Sequence, residues 1–274
     1  MTRLQPLLTL GKVLSMKNVW SIWKKEIRSY FYTPIAYVFV GVFIFLMGFM
    51  FYAFLQTYLN YTSQAHWGGA PSITIDRLSE AFYGNMHLIL MFFLPFFTMR
   101  LFTEEIRNNT FVLLLTSPIS NWELVLSKFL AAVSVLFFML SLTIVFPSLL
   151  AAFADGGWQN GPDLGIVFTT YLALFLVGSV YVSVGVFWSS VTKSQLIALV
   201  ATFASCFFLW LLSLPAQSSE GWMGDFLRHL SIPEQFQSFL KGTIEMKAVV
   251  FLLSVVFFML FLTHRSIEGR SWRS

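Results

Sequence analysis

Six long apolar runs limit what this chain can become. They lie at about 35–58, 81–100, 122–152, 165–189, 194–214 and 247–265, each close to the ~20 residues a helix needs to cross the hydrocarbon layer of a bilayer. A backbone in hydrocarbon must satisfy its own N–H and C=O groups, so runs of this length predict helices. The expected fold is all-α: a polytopic membrane protein with six transmembrane helices. Only 11% of the 274 residues are charged and 57% are hydrophobic, against about 25% charged in a soluble domain. The third run is over-long, and Pro147 is expected to kink it or to mark its outer end.

Residues 1–17 read as an N-terminal extension, with Met16 as an alternative start, and 18–274 as a single transmembrane domain. No cleavable signal peptide is expected, because the first apolar run begins after Pro34, too late and too long for one. Residues 18–33, NVWSIWKKEIRSYFYT, read as an amphipathic helix with Asn18 as its cap and Pro34 as its stop. Lys17, Ser21, Lys24, Lys25 and Arg28 are expected on one face, with Trp20, Trp23, Ile27, Tyr30 and Phe31 on the other. A basic face set against Trp and Tyr suits an interfacial helix at an anionic cytoplasmic leaflet. Trp20, Trp23, Lys24, Lys25 and Arg28 are its candidate contacts with the bilayer. Ser120 with Glu123 fits a capping box opening the third span, and Thr192 with Gln195 fits another opening the fifth. The loop at 153–164 is short and turn-rich. Within 213–246, GWMGDFLRHL and PEQFQSFLKG read as two short amphipathic helices at the outer surface.

Orientation comes from the basic residues. With a cytoplasmic N-terminus the inner segments hold Arg3, Lys12, Lys17, Lys24, Lys25, Arg28, Arg100, Arg107, Lys128, Lys193, Arg265, Arg270 and Arg273. The outer segments hold Arg77, Arg228, Lys241 and Lys247. That bias predicts both termini, and the segment between spans two and three, on the cytoplasmic side. It also accounts for the basic pI near 9.2 without nucleic acid, since the charges sit at span ends and form no groove-like cluster.

The segment Pro95 to Lys128, PFFTMRLFTEEIRNNTFVLLLTSPISNWELVLSK, is a charged, jointed elbow where a few residues would suffice to turn the chain. Such an elbow reads as a docking surface for a soluble partner. Here the chain resembles the permease subunits of ABC-2-type transporters: Pro95, Thr98, Met99, Arg100, Glu104, Glu105, Thr110, Leu113, Leu114, Thr116 and Pro118 fall on that family's pattern. Asn109 stands where Gly is usual and Val112 where Glu is common. The likeness returns at Gly165–Gln195, through Tyr171, Gly178, Tyr181, Gly185 and Ser189 to Thr192, and covers about residues 20–273. Its flavour is that of the gliding-motility-associated and nitrous-oxide-reductase-accessory permeases. The resemblance implies a coupling helix at the elbow, with Arg100, Glu104, Glu105, Arg107, Thr110, Leu113, Leu114 and Pro118 meeting a separate ABC ATPase subunit. It also implies a second permease half, identical or related, and a bacterial inner-membrane location. ATP and Mg would belong to the ATPase, so no cofactor is expected in this chain. The plainer reading of Glu104 is ion pairing with Arg100 and Arg107 along one helix.

Chemistry within the bilayer should show itself as ionisable residues at membrane depth. No Asp, Glu, Lys or Arg lies midway along any of the six runs, and His87 is the one titratable candidate. A core histidine satisfied by a neighbouring backbone or Tyr is the expected role. Met86, His87 and Met91 invite a thought of Cu(I), but Met86 and His87 are adjacent on a helix and do not converge. The sequence holds no G-x-x-x-x-G-K-[ST] phosphate loop, which places the energy source on another subunit. Walls rich in Phe and free of charge favour amphiphilic or lipid-linked cargo over ions. The competing reading is an ATP-independent facilitator, or a scaffold of an envelope machine.

Overall fold

The computed structural model describes residues 16–66, 75–108, 110, 119–153, 161–218 and 221–271. Among them every regular element is an α-helix. An amphipathic helix α1 (Met16–Tyr32) is followed by α2 (Pro34–His66) and α3 (Ile75–Thr98). A one-turn helix α4 (Thr103–Arg107) leads to α5 (Asn121–Thr143) and α6 (Val145–Phe153). Next come α7 (Leu164–Val191), α8 (Gln195–Leu211), three short helices α9 (Ser213–Ser218), α10 (Trp222–Leu230) and α11 (Ile232–Leu240), and finally α12 (Met246–Ser271). Six stretches are long and apolar enough to cross a membrane: Ala36–Tyr61, Ser79–Arg107, Asn121–Ala152, Leu164–Val191, Gln195–Pro215 and Met246–Arg270. Each overlaps one of the six runs expected from sequence, so the chain is a multi-pass membrane protein.

The third span breaks at Ile144, just before Pro147. A proline at 147 cannot donate to the carbonyl of residue 143, and α5 ends at that residue. Ser120 and Glu123 form both halves of the expected capping box: the Glu123 N–H donates to Ser120 Oγ at 3.2 Å and the Ser120 N–H to Glu123 Oε2 at 3.0 Å. The expected box at Thr192 and Gln195 does not form. Ser194 caps α8 instead, accepting from the Ile197 N–H, while Thr192 Oγ1 accepts from the Ser194 N–H. The two short amphipathic helices expected within 213–246 are present as α10 and α11, preceded by the additional turn α9.

Helix α7 is the axis of the bundle. Every residue from Leu176 to Val186 is buried, the all-round burial of a central helix. Glycines make this possible. A Cβ on Gly185 would lie 2.0 Å from Thr98 Oγ1 and 2.5 Å from Thr98 Cβ, and one on Gly178 would lie 2.6 Å from Leu136 Cδ2. Residues seven apart share a helix face, so this face of α7 sits in the groove between α3 and α5. Small residues let membrane helices approach this closely. Ser183, Ser189 and Thr202 are buried, and each returns its hydroxyl proton to a carbonyl three or four residues back.

Contacts set the directions of the helices. Phe39, Phe43 and Phe51 on α2 meet Phe97, Phe93 and Phe82 on α3, an antiparallel ladder. Thr143 and Leu136 on α5 meet Tyr171 and Gly178 on α7, again antiparallel. The elbow, the start of α5 and the end of α12 therefore share one end of the bundle, where Trp122 stacks on His264 at 4.5 Å and Arg270 donates to Val191 O. At the other end Thr169 Oγ1 donates to Phe239 O at 2.9 Å, fastening α11 to α7.

Two glycine substitutions test this packing. Gly185→Ala is expected to cost about 1–3 kcal/mol, because it meets a Cβ that cannot swing aside. Gly178→Ala is expected to cost less, because it meets the far end of the Leu136 side chain rather than a Cβ. Denaturant unfolding of the purified protein in mild detergent measures both, and the reverse order would contradict the placing of α7 against α3.

Candidate functional site

The elbow leaves α3 at Thr98 and tightens through two successive turns. The Met99 N–H donates to Pro95 O at 2.9 Å and the Leu101 N–H to Thr98 O at 3.2 Å, before α4 begins with Ile106 N–H donating to Phe102 O. Leu101, Phe102, Thr103 and Ile106 are buried, which ties this segment to the bundle. Thr110 closes the far side: its N–H and hydroxyl both donate to Glu105 O, at 3.1 and 3.3 Å.

Beneath the elbow lies a lysine. Lys128 stands on α5, seven residues into the third candidate span, with its side chain 1% exposed. Its Nζ is 3.0 Å from Glu26 Oε1 on α1 and 3.0 Å from Glu105 Oε1 on α4, and it donates to Leu101 O in the turn between α3 and α4. An ammonium has three donors; here Glu26 Oε1 and Leu101 O each accept one, and Glu105 Oε1 lies at ion-pair distance, so three segments meet at the one nitrogen. The Phe102 ring covers the same nitrogen, 5.0 Å from its centroid, in cation–π contact. Lys25 adds a second cation 3.7 Å from Glu105 Oε1, so two lysines face two glutamates and the cluster is neutral. The Lys25 side chain is 66% exposed, and its pairing contributes little beside that of Lys128.

Helix α1 reaches this cluster by lying obliquely across α5. Asn18 Nδ2 donates to Glu123 Oε2 at 3.3 Å, and Glu26 binds Lys128. In a second row Trp23 Nε1 donates to Ser134 Oγ at 3.0 Å, and Phe31 meets Phe138 edge-on at 5.6 Å. Eight residues of α1 thus span four or five of α5, so the two run in the same sense but cross at an angle. Tyr30 completes the attachment by donating to Phe97 O at 2.7 Å. Burial, then the nearby Glu26 carboxylate, pushes the pKa of Tyr30 up from its ordinary value, while Arg100 opposes this, so the hydroxyl stays a neutral donor.

Several expectations are corrected by this geometry. Asn18 is not a cap: α1 runs from Met16, and the Asn18 side chain binds across to α5. The aromatic and basic residues of α1 do not take opposite faces. Trp20 and Phe31 share the exposed face with Lys17, Lys24 and Arg28, while Val19 and Tyr30 are buried. Trp23 is half-buried and stacks on Trp20 at 4.3 Å. Among the described residues Glu104 forms no ion pair with Arg100 or Arg107; it is exposed, as are Arg107 and Thr110. Glu105 instead turns inward to Lys128. Arg100 is half-buried beside Glu26, Ser29, Tyr30 and Glu104, and its Nε has no hydrogen-bond partner. Leu113, Leu114 and Pro118 lie outside the described residues.

Sequence reasoning missed Lys128, Glu26 and Glu123 as a site. The positive-inside pattern gives Lys128 a role as a span-end charge, yet an ionisable residue inside an apolar run is itself a signal of a buried partner. His87 packs as a core residue: its Nδ1 is 3.0 Å from Gly84 O and its ring stacks on Phe236 at 5.3 Å, with Met86 and Met91 buried nearby.

Removing one member of a buried ion cluster leaves the others uncompensated, so Lys128→Met is expected to cost about 3–5 kcal/mol. Adding Glu26→Gln and Glu105→Gln to that variant is expected to restore most of the loss, since the stranded carboxylates are then gone. Detergent-based unfolding of the single and triple variants measures both. A single variant as stable as the parent would contradict the cluster.

No match is found among curated individual proteins. A family model described as ABC-2 family transporter protein matches residues 20–262, from α1 through the elbow to the last span. The chain therefore belongs to the ABC-2 family of transporter proteins, as a membrane permease subunit of an ABC transporter.

Proposed function

We propose that the elbow is the coupling element through which a separate ABC ATPase moves this permease half. Two halves, identical or related, would line one pathway in a bacterial inner membrane, with both termini cytoplasmic. The observation that supports this most is the division of labour between two adjacent acids. Glu104, with Arg107 and Thr110, is presented to solvent, where a soluble partner can reach it. Glu105 is turned inward and bound to Lys128, which fixes the elbow to α5 and, through Glu26, to α1. A push on the exposed tip is thus passed to three helices at once, and packed helices respond by shifting as rigid bodies. ATP and Mg stay with the partner, in keeping with a sequence that holds no phosphate loop. The output is export of cargo, or conformational work, across the membrane. Apolar, aromatic walls support amphiphilic or lipid-linked cargo. Within the family, our reading keeps the flavour of the gliding-motility-associated and nitrous-oxide-reductase-accessory permeases.

Orientation rests on the positive-inside bias, since the end of the bundle that holds the elbow also holds Lys17, Lys24, Lys25, Arg28, Lys193, Arg265 and Arg270. Cys206 is buried and is the one cysteine of the chain, so an introduced cysteine reports cleanly. Lys17→Cys is expected to react with a membrane-impermeant thiol reagent from the cytoplasmic side only, and Lys241→Cys from the outer side only.

Purification from native membranes in mild detergent is expected to bring an ABC ATPase with the chain. Glu104→Arg is expected to lower ATPase stimulation by the permease about tenfold while leaving thermal stability within ±0.5 kcal/mol, as for an exposed site. A chain that purifies without an ATPase would instead support the facilitator or scaffold reading.

A further inference from the structure

A narrow slot of about 100 Å³ opens where α1 turns into α2, bounded behind by α3 and α5. Tyr30, Phe97 and Val135 form its buried floor, and Phe31, Tyr37 and Phe138 its exposed mouth. The Tyr30 hydroxyl is already engaged by Phe97 O, so the floor offers a ligand no polar group. A cavity lined in this way takes hydrocarbon rather than water.

The rim has the opposite chemistry. Lys24, Arg28 and Phe31 recur at i, i+4 and i+7 and so form one stripe of α1; all three are exposed. Phe31 is at once the end of that stripe and part of the mouth. A basic strip therefore runs directly into an apolar slot, within one end of a six-span bundle. That combination selects an amphiphile with an anionic head.

We propose that this is a binding site for one anionic phospholipid of the leaflet on the elbow side, its acyl chain in the slot and its phosphate at Arg28 and Lys24. The chain lodges against the residues that carry the Tyr30–Phe97 hydrogen bond, so the lipid supports the joint between α1 and α3. The site does not depend on a partner ATPase. It does depend on which leaflet faces this end, and the Lys17→Cys labelling reads that separately.

The test uses the full wild-type chain in phosphatidylcholine vesicles doped with phosphatidylglycerol or phosphatidylcholine carrying a photoactivatable diazirine in the acyl chain. After irradiation, peptide mapping is expected to show adducts at residues 31–40 and 135–138 enriched several-fold with the phosphatidylglycerol probe over the phosphatidylcholine probe. Lys24→Gln with Arg28→Gln is expected to equalise the two probes, and Val135→Phe, which fills the floor, to abolish the enrichment with both. Equal labelling by the two probes in the wild-type chain would overturn recognition of the anionic head. Adducts spread evenly over the lipid-facing spans, or enrichment unchanged by Val135→Phe, would overturn the slot.

Discussion

An ammonium group carried into one end of an apolar bundle must find all its partners within reach, and the arrangement of helices around Lys128 follows from that demand. Water is not at hand to solvate the charge, so the compensating oxygens come from the protein: a glutamate on α1, a glutamate on α4 and the Leu101 carbonyl. Each belongs to a different segment. A group that contributes nothing to hydrophobic burial thereby decides which segments stay together. Buried ion clusters are weak sources of net stability, but they discriminate strongly against arrangements that strand a charge. Here the arrangement so selected places one acid of the elbow inward and leaves its neighbour free.

The rest of the bundle supplies a frame against which this cluster is held. Helix α7 is buried on all sides and carries glycines where α3 and α5 press closest, so the helices at either side of the elbow rest on one axis. The Gly185 contact is with Thr98, the last residue of α3 before the chain turns. Close packing at the entrance and ion pairing beneath the tip thus act on the same short segment. Its surface residues are left to meet something else.

The six spans and the Ser120–Glu123 box were legible in the sequence because each depends on local pattern: length of apolar run, or a three-residue spacing. The elbow was legible as a segment through its family likeness. What escaped was pairing at long range. Glu26 and Lys128 are 102 positions apart, and no periodicity links them. Lys128 was visible as an oddity, a lysine within an apolar run, but the positive-inside pattern gave it a sufficient role and hid the burial. The helical wheel of α1 was misjudged for a related reason. Trp20 and Phe31 were sorted by their chemistry, whereas at 100° per residue they fall beside Lys24 and Arg28, and only Val19, Tyr30 and their half-buried neighbours turn inward. Ser194 displaced Thr192 as a cap because the turn between α7 and α8 runs two residues longer than the Thr–Gln spacing assumes, so that α8 begins only at Gln195.

The oblique seat of α1 on α5 has a mechanical corollary. The helix is pinned most firmly at Glu26, with eight residues on its Asn18 side and five on its Phe31 side, arms of about 12 Å and about 7.5 Å at the rise of an α-helix. A rod fixed in this way is a see-saw of unequal arms. Displacement at the Asn18 end, held by its contact with Glu123, arrives at the first span reduced in travel and increased in force, the ratio wanted where a small motion has to part tightly packed helices.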